Sequence, residues 1–274
     1  MNYAKWFLPL IMGITVSSCH VNQTHHSNKI VDAGLETSIA DAPLDIGSDV
    51  SLSDVQSVKL CDDDMVLITP KLPFTLPLLD KAKFAESDYN FDMTAISGAY
   101  CIDRYEYPNK KGSFPISGIS LDTAKYEAAK LGKRICSQAE WVAACMGENR
   151  QIYGYGNEYV PGNCTDSKPW KAPSWGLMAN PVLWAQEVKR LYNADPSGSH
   201  PNCKSTWGND ALFDAIANTA EWSLSSKAQY GVAVMGCSFV NCYRPQKASC
   251  LYSNVNHSAN FNSYEFGYRL CKNP

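Results

Sequence analysis

Several functional signals are absent from this sequence. The 24 Lys and Arg residues are outnumbered by 27 Asp and Glu residues, so no basic stripe is available for a nucleic-acid partner. The chain has no internal repeat, no glycine-rich phosphate loop and no serine in a nucleophile elbow. It has few histidines, and these form no spaced pair for zinc or iron in the folded part: His20, His25, His26, His200 and His257.

Long apolar runs are also absent, apart from one short run near the N-terminus. Trp6–Val16 follows Lys5 and precedes small residues and Cys19. A run of that length is too short to span a bilayer comfortably, and it predicts a secretion signal. Small residues directly before a cysteine are typical of a bacterial lipoprotein, in which Cys19 would carry lipid that anchors the protein to a periplasmic or cell-surface membrane. The alternative is an ordinary signal peptide and a secreted protein, with Cys19 incidental.

The residues after this signal predict a linker. Residues 20–59 are rich in Ser, Thr, Asp and Asn, and they show no sustained hydrophobic period. A flexible chain of that size reaches roughly 35 Å, which would hold a folded domain clear of a membrane. We therefore expect a signal over 1–19, a disordered polar tether over 20–59 and one domain over 60–274.

Cysteine is the residue type that the sequence has in excess. Eleven cysteines are many for a cytosolic protein and indicate an oxidising compartment. Without Cys19, ten remain, an even number that allows up to five disulfides. They are Cys61, Cys101, Cys136, Cys145, Cys164, Cys203, Cys237, Cys242, Cys250 and Cys271.

Regular structure is predicted mainly in the first half of the domain. Residues 65–70 and 99–108 resemble strands, and on the second strand Arg104 and Glu106 share one face and predict a solvated ion pair. A first helix is predicted over 122–131, and a second begins at a capping box of Ser137 and Glu140 and stops at Gly147. After residue 151 only 182–192 has helical spacing, so disulfides or bound cations are needed to fix the rest.

Four separated motifs resemble, in order, the formylglycine-generating enzyme or sulfatase-modifying factor family, whose fold is related to C-type lectins. They are GKRICSQAEW (132–141) with the preceding helix, LFDAIANTAEW (212–222), GCSF (236–239) and FGYRLC (266–271). The resemblance covers roughly residues 61–274. It implies an α+β fold: one irregular, loop-rich domain with few helices and short strands, stapled by disulfides and holding calcium.

The resemblance also implies a calcium loop. By position, Asp214 and Glu221 would supply side-chain oxygens, and Ala217 and Thr219 would supply backbone oxygens. The alternative is that Asp214 caps a turn and Glu221 pairs with a surface base. A second calcium site of the family would begin at Asn163.

The catalytic members of the family bind copper(I) through two cysteines with four residues between them. Cys237 and Cys242 have that spacing, but the expected positions are Asn241 and Gln246, or Cys242 and Lys247 after a one-residue gap. Two pocket residues of the family are also replaced, by Ala220 and Glu265. Cys237, Cys242 and Ser238 are the candidate catalytic residues, although the register argues against a working copper site.

Disulfide partners can be proposed for all ten cysteines. The family's bridges suggest Cys145–Cys250. In the family, the cysteine at the position of Cys271 bridges to the first helix, which has no cysteine in this chain, so Cys136 just after that helix is the nearest substitute partner. The remaining proposed pairs are Cys61–Cys101, Cys164–Cys203 and Cys237–Cys242.

Three functions follow from these observations. The first is a calcium-stabilised binding or scaffold module at the cell surface, which would bind an unknown protein or ligand through its loops. The second is an oxidase that uses copper and oxygen to convert a sulfatase cysteine to formylglycine. The third, an iron-dependent oxygenase, needs a histidine cluster that the sequence lacks.

Overall fold

A computed structural model describes residues 59–79, 90–240, 242 and 248–274. The predicted signal and its lipidation site Cys19 lie outside the described residues, as does the predicted tether up to residue 58. Contacts along the chain place Gln56–Pro274 in one compact unit.

The two ends of this unit meet in one four-stranded antiparallel sheet. Its order is β1-β2-β10-β3, so the C-terminal strand lies between β2 and β3. The strands are β1 (Met65–Ile68), β2 (Tyr100–Asp103), β3 (Arg134–Ile135) and β10 (Leu270–Lys272). Buried β-branched and aromatic residues such as Val66, Ile68, Tyr100 and Ile102 explain why these segments are extended.

Two helices follow β2, as the sequence predicts. Helix α1 (Leu121–Lys130) begins after Ser120, whose hydroxyl accepts a hydrogen bond from the Thr123 amide. Helix α2 (Gln138–Met146) begins with the predicted capping box, and both of its hydrogen bonds are present. All nine residues of α2 are buried, so this helix passes through the core. Two further short helices are α3 (Trp175–Met178) and α4 (Trp184–Leu191).

The second half of the unit contains a hairpin and another four-stranded sheet. The hairpin joins β4 (Lys204–Trp207) to β5 (Asp210–Phe213), and the sheet has the order β8-β7-β6-β9. Its strands are β6 (Ala220–Leu224), β7 (Val232–Met235), β8 (Ser253–Asn254) and β9 (Phe266–Gly267). The loop between β5 and β6 carries the predicted calcium ligands Asp214, Ala217 and Thr219, and the fourth, Glu221, is the second residue of β6.

Five disulfides connect these elements. They are Cys61–Cys101, Cys136–Cys271, Cys145–Cys250, Cys164–Cys203 and Cys237–Cys242, which are the five pairs proposed from the sequence. Two of them link distant parts of the chain, with sequence separations of 135 and 105 residues. The result is a loop-rich fold of short strands and few helices, fixed by disulfides.

Within the described ranges, no helix combines the length and the apolar composition that a bilayer crossing requires.

Candidate functional site

The loop between β5 and β6 has an irregular backbone. Asp214, Ala217 and Asn218 have φ angles of 53°, 71° and 56°. These values lie in the left-handed region, which residues other than glycine rarely adopt. All three residues are buried. A backbone in this conformation persists only where contacts with surrounding groups stabilise it. The hydrogen bonds and ion pairs around the loop identify those groups.

Glu221 is paired inside the protein. Its carboxylate accepts hydrogen bonds from Arg269 Nε at 2.6 Å and from Trp141 Nε1 at 2.6 Å, and both side chains of the ion pair are fully buried. Arg269 also donates to the carbonyl of Phe213, at the start of the loop. The expected alternative, a surface base as partner, is therefore half right: Glu221 has a basic partner, but the partner is buried.

Glu106 holds the loop from the other side. One carboxylate oxygen accepts from the amide and the hydroxyl of Thr219, at 2.8 and 2.6 Å. The other oxygen accepts from Asn218 Nδ2 at 2.7 Å and from Ser197 Oγ at 3.0 Å. Glu106 thus has four donors around a carboxylate that solvent does not reach.

The predicted solvated pair of Arg104 and Glu106 is wrong. Strand β2 ends at Asp103, before either residue. Arg104 pairs instead with Asp210 at 2.9 Å, whereas Glu106 turns inward to the loop. The sequence gives no signal for this, because the residues that Glu106 contacts lie 91 to 113 positions away.

The cluster carries more negative than positive charge. Glu106, Asp214 and Glu221 provide three carboxyl groups, and Arg269 lies among them. Burial, followed by the charges of Asp214 and Glu221, raises the pKa of Glu106 to about 8. Burial likewise raises the pKa of Asp214 to about 6. An added cation at this place would offset the excess charge.

The predicted calcium ligands fit a calcium ion in part. The carbonyl oxygens of Ala217 and Thr219 are buried and accept no hydrogen bond from another described residue, so they are available to a cation. Asp214 has one oxygen bonded to the Gly198 amide at 2.6 Å. Glu221 fits less well, because Arg269 and Trp141 already bond its two oxygens.

No group of three or more His, Cys, Asp or Glu side chains converges on a metal position within the described part of the chain. A calcium site in this loop would therefore depend on backbone carbonyls as well as on carboxylates.

Asn163, the expected start of a second calcium site, lies in a separate turn. Its amide donates to the Val160 carbonyl. Nearby, Asp166 is buried, and its Oδ2 accepts from Tyr159 OH, but its Oδ1 has no hydrogen-bond partner among the described residues. No sequence motif singles out Asp166, whose unsatisfied buried oxygen is apparent only in the fold.

The candidate thiols are joined to each other. Cys237 and Cys242 form a disulfide with a Cα–Cα distance of 5.7 Å, and Cys237 has a φ of 73°. Ser238 is buried beside it. Of the copper positions expected from the family, Asn241, Gln246 and Lys247 lie outside the described residues, and the remaining one, Cys242, is in this disulfide.

A cavity of about 220 Å³ opens beside Cys237 and Ser238. Aromatic side chains form much of its wall, and polar groups are fewer: Trp175, Tyr252, His257, Phe261 and Phe266 with Ser238, Asn254, Ser263 and Glu265. Ala220 and Glu265, the two replaced pocket residues, both line it, so their replacement changes the shape and charge of this cavity. Trp222 does not line it, since that side chain is buried and donates to the Ile119 carbonyl.

A comparison with models of known protein families finds a match over most of the chain. A family model described as "Sulfatase-modifying factor enzyme 1-like domain" matches residues 84–274. The match begins after β1, although β1 pairs with β2 in the same sheet. A search of curated proteins finds no match.

Solved structures are similar at low sequence identity. "Crystal Structure of CarF" shares 14% identity over 77% of this chain and 98% of that chain, with a TM-score of 0.47. "Structure of PvdO from Pseudomonas aeruginosa" shares 14% over 77% and 94%, also with a TM-score of 0.47. "Treponema denticola variable protein 1" shares 13% over 65% and 85%, with a TM-score of 0.43.

Proposed function

Because the chain belongs to the family of sulfatase-modifying factor enzyme 1-like domains, we propose that it is an exported, lipid-anchored binding module of that family. The observation that carries this proposal is the Cys237–Cys242 disulfide. The catalytic members of the family bind copper(I) through two cysteine thiolates, and a disulfide offers none. The protein therefore binds a ligand on this fold without oxidising it.

The cavity beside Ser238 is the proposed binding site. Its volume of about 220 Å³ is below the range of roughly 300–1,000 Å³ that drug-sized ligands occupy, so it suits one side chain or one small ring. Aromatic walls favour an apolar or planar group, and a few polar side chains fix its orientation. The partner is a protein or ligand that inserts such a group.

Calcium is proposed as a structural ion in the loop between β5 and β6. Asp214 would provide a carboxylate oxygen, and Ala217 and Thr219 would provide backbone oxygens, with Glu221 at the edge of the site. The ion would supply positive charge to a cluster with surplus carboxylates. Its role is to fix the loop that leads into β6, whose first residue, Ala220, lines the cavity.

Export and anchoring are proposed from the sequence signal and the five disulfides. With lipid on Cys19, the protein partitions with membranes, and Cys19→Ser converts it to a soluble exported form. Wild type that remains soluble after export would contradict the anchor and leave the binding module as a secreted protein.

The decisive experiment is a thiol and copper titration of the unreduced Cys19→Ser protein. We expect no reactive thiol and no tight copper(I) binding, both natively and in denaturant. Cys237→Ser/Cys242→Ser is the matched control, and it should behave as wild type in both assays. Two free thiols that bind copper(I) tightly and disappear in this double variant would overturn the proposal.

That outcome would favour the second candidate, a copper-dependent oxidase. The observation in its favour is that Cys237 and Ser238 line the cavity, where a substrate would bind. This oxidase would have to work with the Cys237–Cys242 disulfide reduced. Its copper would also have to be bound although one of the two cysteines is displaced from the position that the family's copper ligand has.

A further inference from the structure

One short segment of the surface exposes an unusual number of large apolar side chains. We call it the Trp patch, and it consists of Trp170, Trp175, Leu177 and Val182, which are 55%, 69%, 37% and 81% exposed. All four lie within thirteen consecutive residues around α3. Isolated exposed apolar residues need no explanation, but a concentration of them marks an interaction surface.

The segment that bears the Trp patch is fastened to the domain by other residues. Met178 and Val188 pack against a buried cluster that contains Leu191, Phe239 and Tyr264. The backbone is fixed as well, because Arg190 Nη2 donates to the Ala172 carbonyl at 2.7 Å and Glu187 accepts from the Ser174 amide at 2.7 Å. The exposed rings are therefore carried on a segment that Met178, Val188 and two hydrogen bonds to its backbone fasten to the domain.

The same segment is basic in an acidic protein. Residues 168–192 contain four basic residues and one acidic residue, a net charge of +3, whereas the whole chain has −3. The basic residues are Lys168, Lys171, Lys189 and Arg190. The single acid, Glu187, is buried and bonded to Arg190, and Lys168 pairs with Asp195, just beyond the segment, at 2.8 Å. Lys171 and Lys189 are exposed and have no ion-pair partner among the described residues, so they give the outer face of the segment its positive charge.

We propose that the Trp patch docks on the surface of an anionic lipid bilayer. Indole rings settle at the headgroup level of membranes, where one side of the ring is apolar and the other is wet. Lysine and arginine beside them are attracted to anionic headgroups. The Trp patch combines both groups in one segment, as Trp170–Lys171 shows, and this combination favours a lipid surface over a protein partner.

Docking would give the domain a contact with the membrane of its own, separate from any lipid on Cys19. A single weak membrane signal gives only marginal binding, and two signals together give stable attachment. Trp175 also lines the cavity proposed as the ligand site, whereas Trp170, Lys171 and Lys189 do not. The variant Lys171→Glu/Lys189→Glu therefore tests membrane docking without altering that cavity, and the inference does not depend on the state of the thiols.

The test is vesicle co-sedimentation of the full chain with Cys19→Ser, so that an attached lipid does not contribute. Phosphatidylcholine vesicles are compared with vesicles of equal parts phosphatidylcholine and phosphatidylglycerol. We expect at least tenfold tighter binding to the anionic vesicles, decreasing as salt is raised. Trp170→Ser/Trp175→Ser and, separately, Lys171→Glu/Lys189→Glu should each weaken it at least tenfold.

The matched control is Tyr126→Ser, which removes an aromatic ring of similar exposure, 64%, from α1. It should bind as the parent does, and all variants should keep the parent's melting temperature. Equal binding to both vesicle types, or unchanged binding by the Trp double variant, would overturn the inference. Self-association in vesicle-free buffer that only the Trp double variant loses would overturn it too, and would assign the patch to a second copy of the chain.

Discussion

Glu106 supports the loop that leads into β6. Replacing it with alanine would leave the Thr219 amide, the Asn218 amide group and two hydroxyls without their acceptor. Each buried donor left unpaired costs about 1–3 kcal/mol, so we expect Glu106→Ala to lower the free energy of unfolding by at least about 3 kcal/mol. Denaturant unfolding with intact disulfides measures this.

The control for Glu106→Ala is Glu127→Ala. Glu127 is an acid of α1 that pairs with Lys130 near the surface. Its loss should change the free energy of unfolding by no more than about 0.5 kcal/mol. Equal effects of the two substitutions would show that the four donors at Glu106 are not a structural requirement.

Gly236 is a second residue whose identity the fold dictates. A Cβ atom there would lie 2.4 Å from the Ala215 carbonyl oxygen and 3.0 Å from Trp141, at a φ of +85°. We expect Gly236→Ala to destabilise the protein by about 2 kcal/mol or more, because neither the backbone nor the indole can yield. Gly112→Ala is the control, since its φ is +79° but no atom lies within 4 Å. Thermal unfolding should rank wild type first, Gly112→Ala second and Gly236→Ala last, and any other order would contradict this reasoning.

Single-residue roles could be predicted from the sequence where they are local. The capping box of Ser137 and Glu140 is an example, because both partners lie within four residues. The roles of Glu106 and Arg269 could not be predicted, since each depends on chain folding that brings distant residues together. The resemblance makes Asp214 and Glu221 ligands of one calcium ion. It does not show that Arg269 already donates hydrogen bonds to both oxygens of the Glu221 carboxylate.

At the scale of elements, disulfides connect strands that lie far apart in sequence. Cys136–Cys271 joins the residue that follows β3 to β10 across 135 residues, whereas Cys237–Cys242 closes a loop of 5. In the chain-entropy account the first contributes about 5 kcal/mol and the second about 2 kcal/mol. Cys136→Ala/Cys271→Ala should therefore lower the free energy of unfolding more than Cys237→Ala/Cys242→Ala.

Both double variants remove one disulfide, so each is the matched control of the other. Denaturant unfolding of the two proteins under identical oxidising conditions gives the comparison. A larger loss for the short bridge would mean that it does more than close a loop, for example by holding the cavity wall.

The elements themselves were predicted well where the hydrophobic pattern is periodic. Helix α1 begins and ends one residue earlier than the predicted 122–131, and α4 lies inside the predicted 182–192. The strand predicted over 99–108 ends at Asp103, because the chain then turns to place Glu106 in the core. The sheet order β1-β2-β10-β3 has no local signal, since it pairs the C-terminus with strands more than a hundred residues earlier.

At the scale of the whole molecule, charge is separated between interior and surface. The cluster around Arg269 holds three carboxyl groups, whereas the segment 168–192 exposes the positive charges of Lys171 and Lys189. The amino-acid composition specifies only the net charge of the chain, −3. The distribution of that charge between interior and surface depends on the fold. The interior surplus is the physical reason to expect a bound cation, because buried like charges raise each other's pKa until protons or a metal offset them.

Binding of calcium by the full chain should be detectable as a change in its melting temperature. A ligand present at 100 times its Kd stabilises a protein by about 2.7 kcal/mol, which corresponds to roughly 5–10 °C in Tm for a domain of this size. We expect calcium to raise the Tm of the wild type by that amount and a chelator to reverse it. Asp214→Asn keeps an acceptor for the Gly198 amide but loses the charge, so its Tm should respond to neither. Equal responses of the two proteins would place any calcium elsewhere, and no response in either would mean that Glu106 and Arg269 hold the loop without a metal.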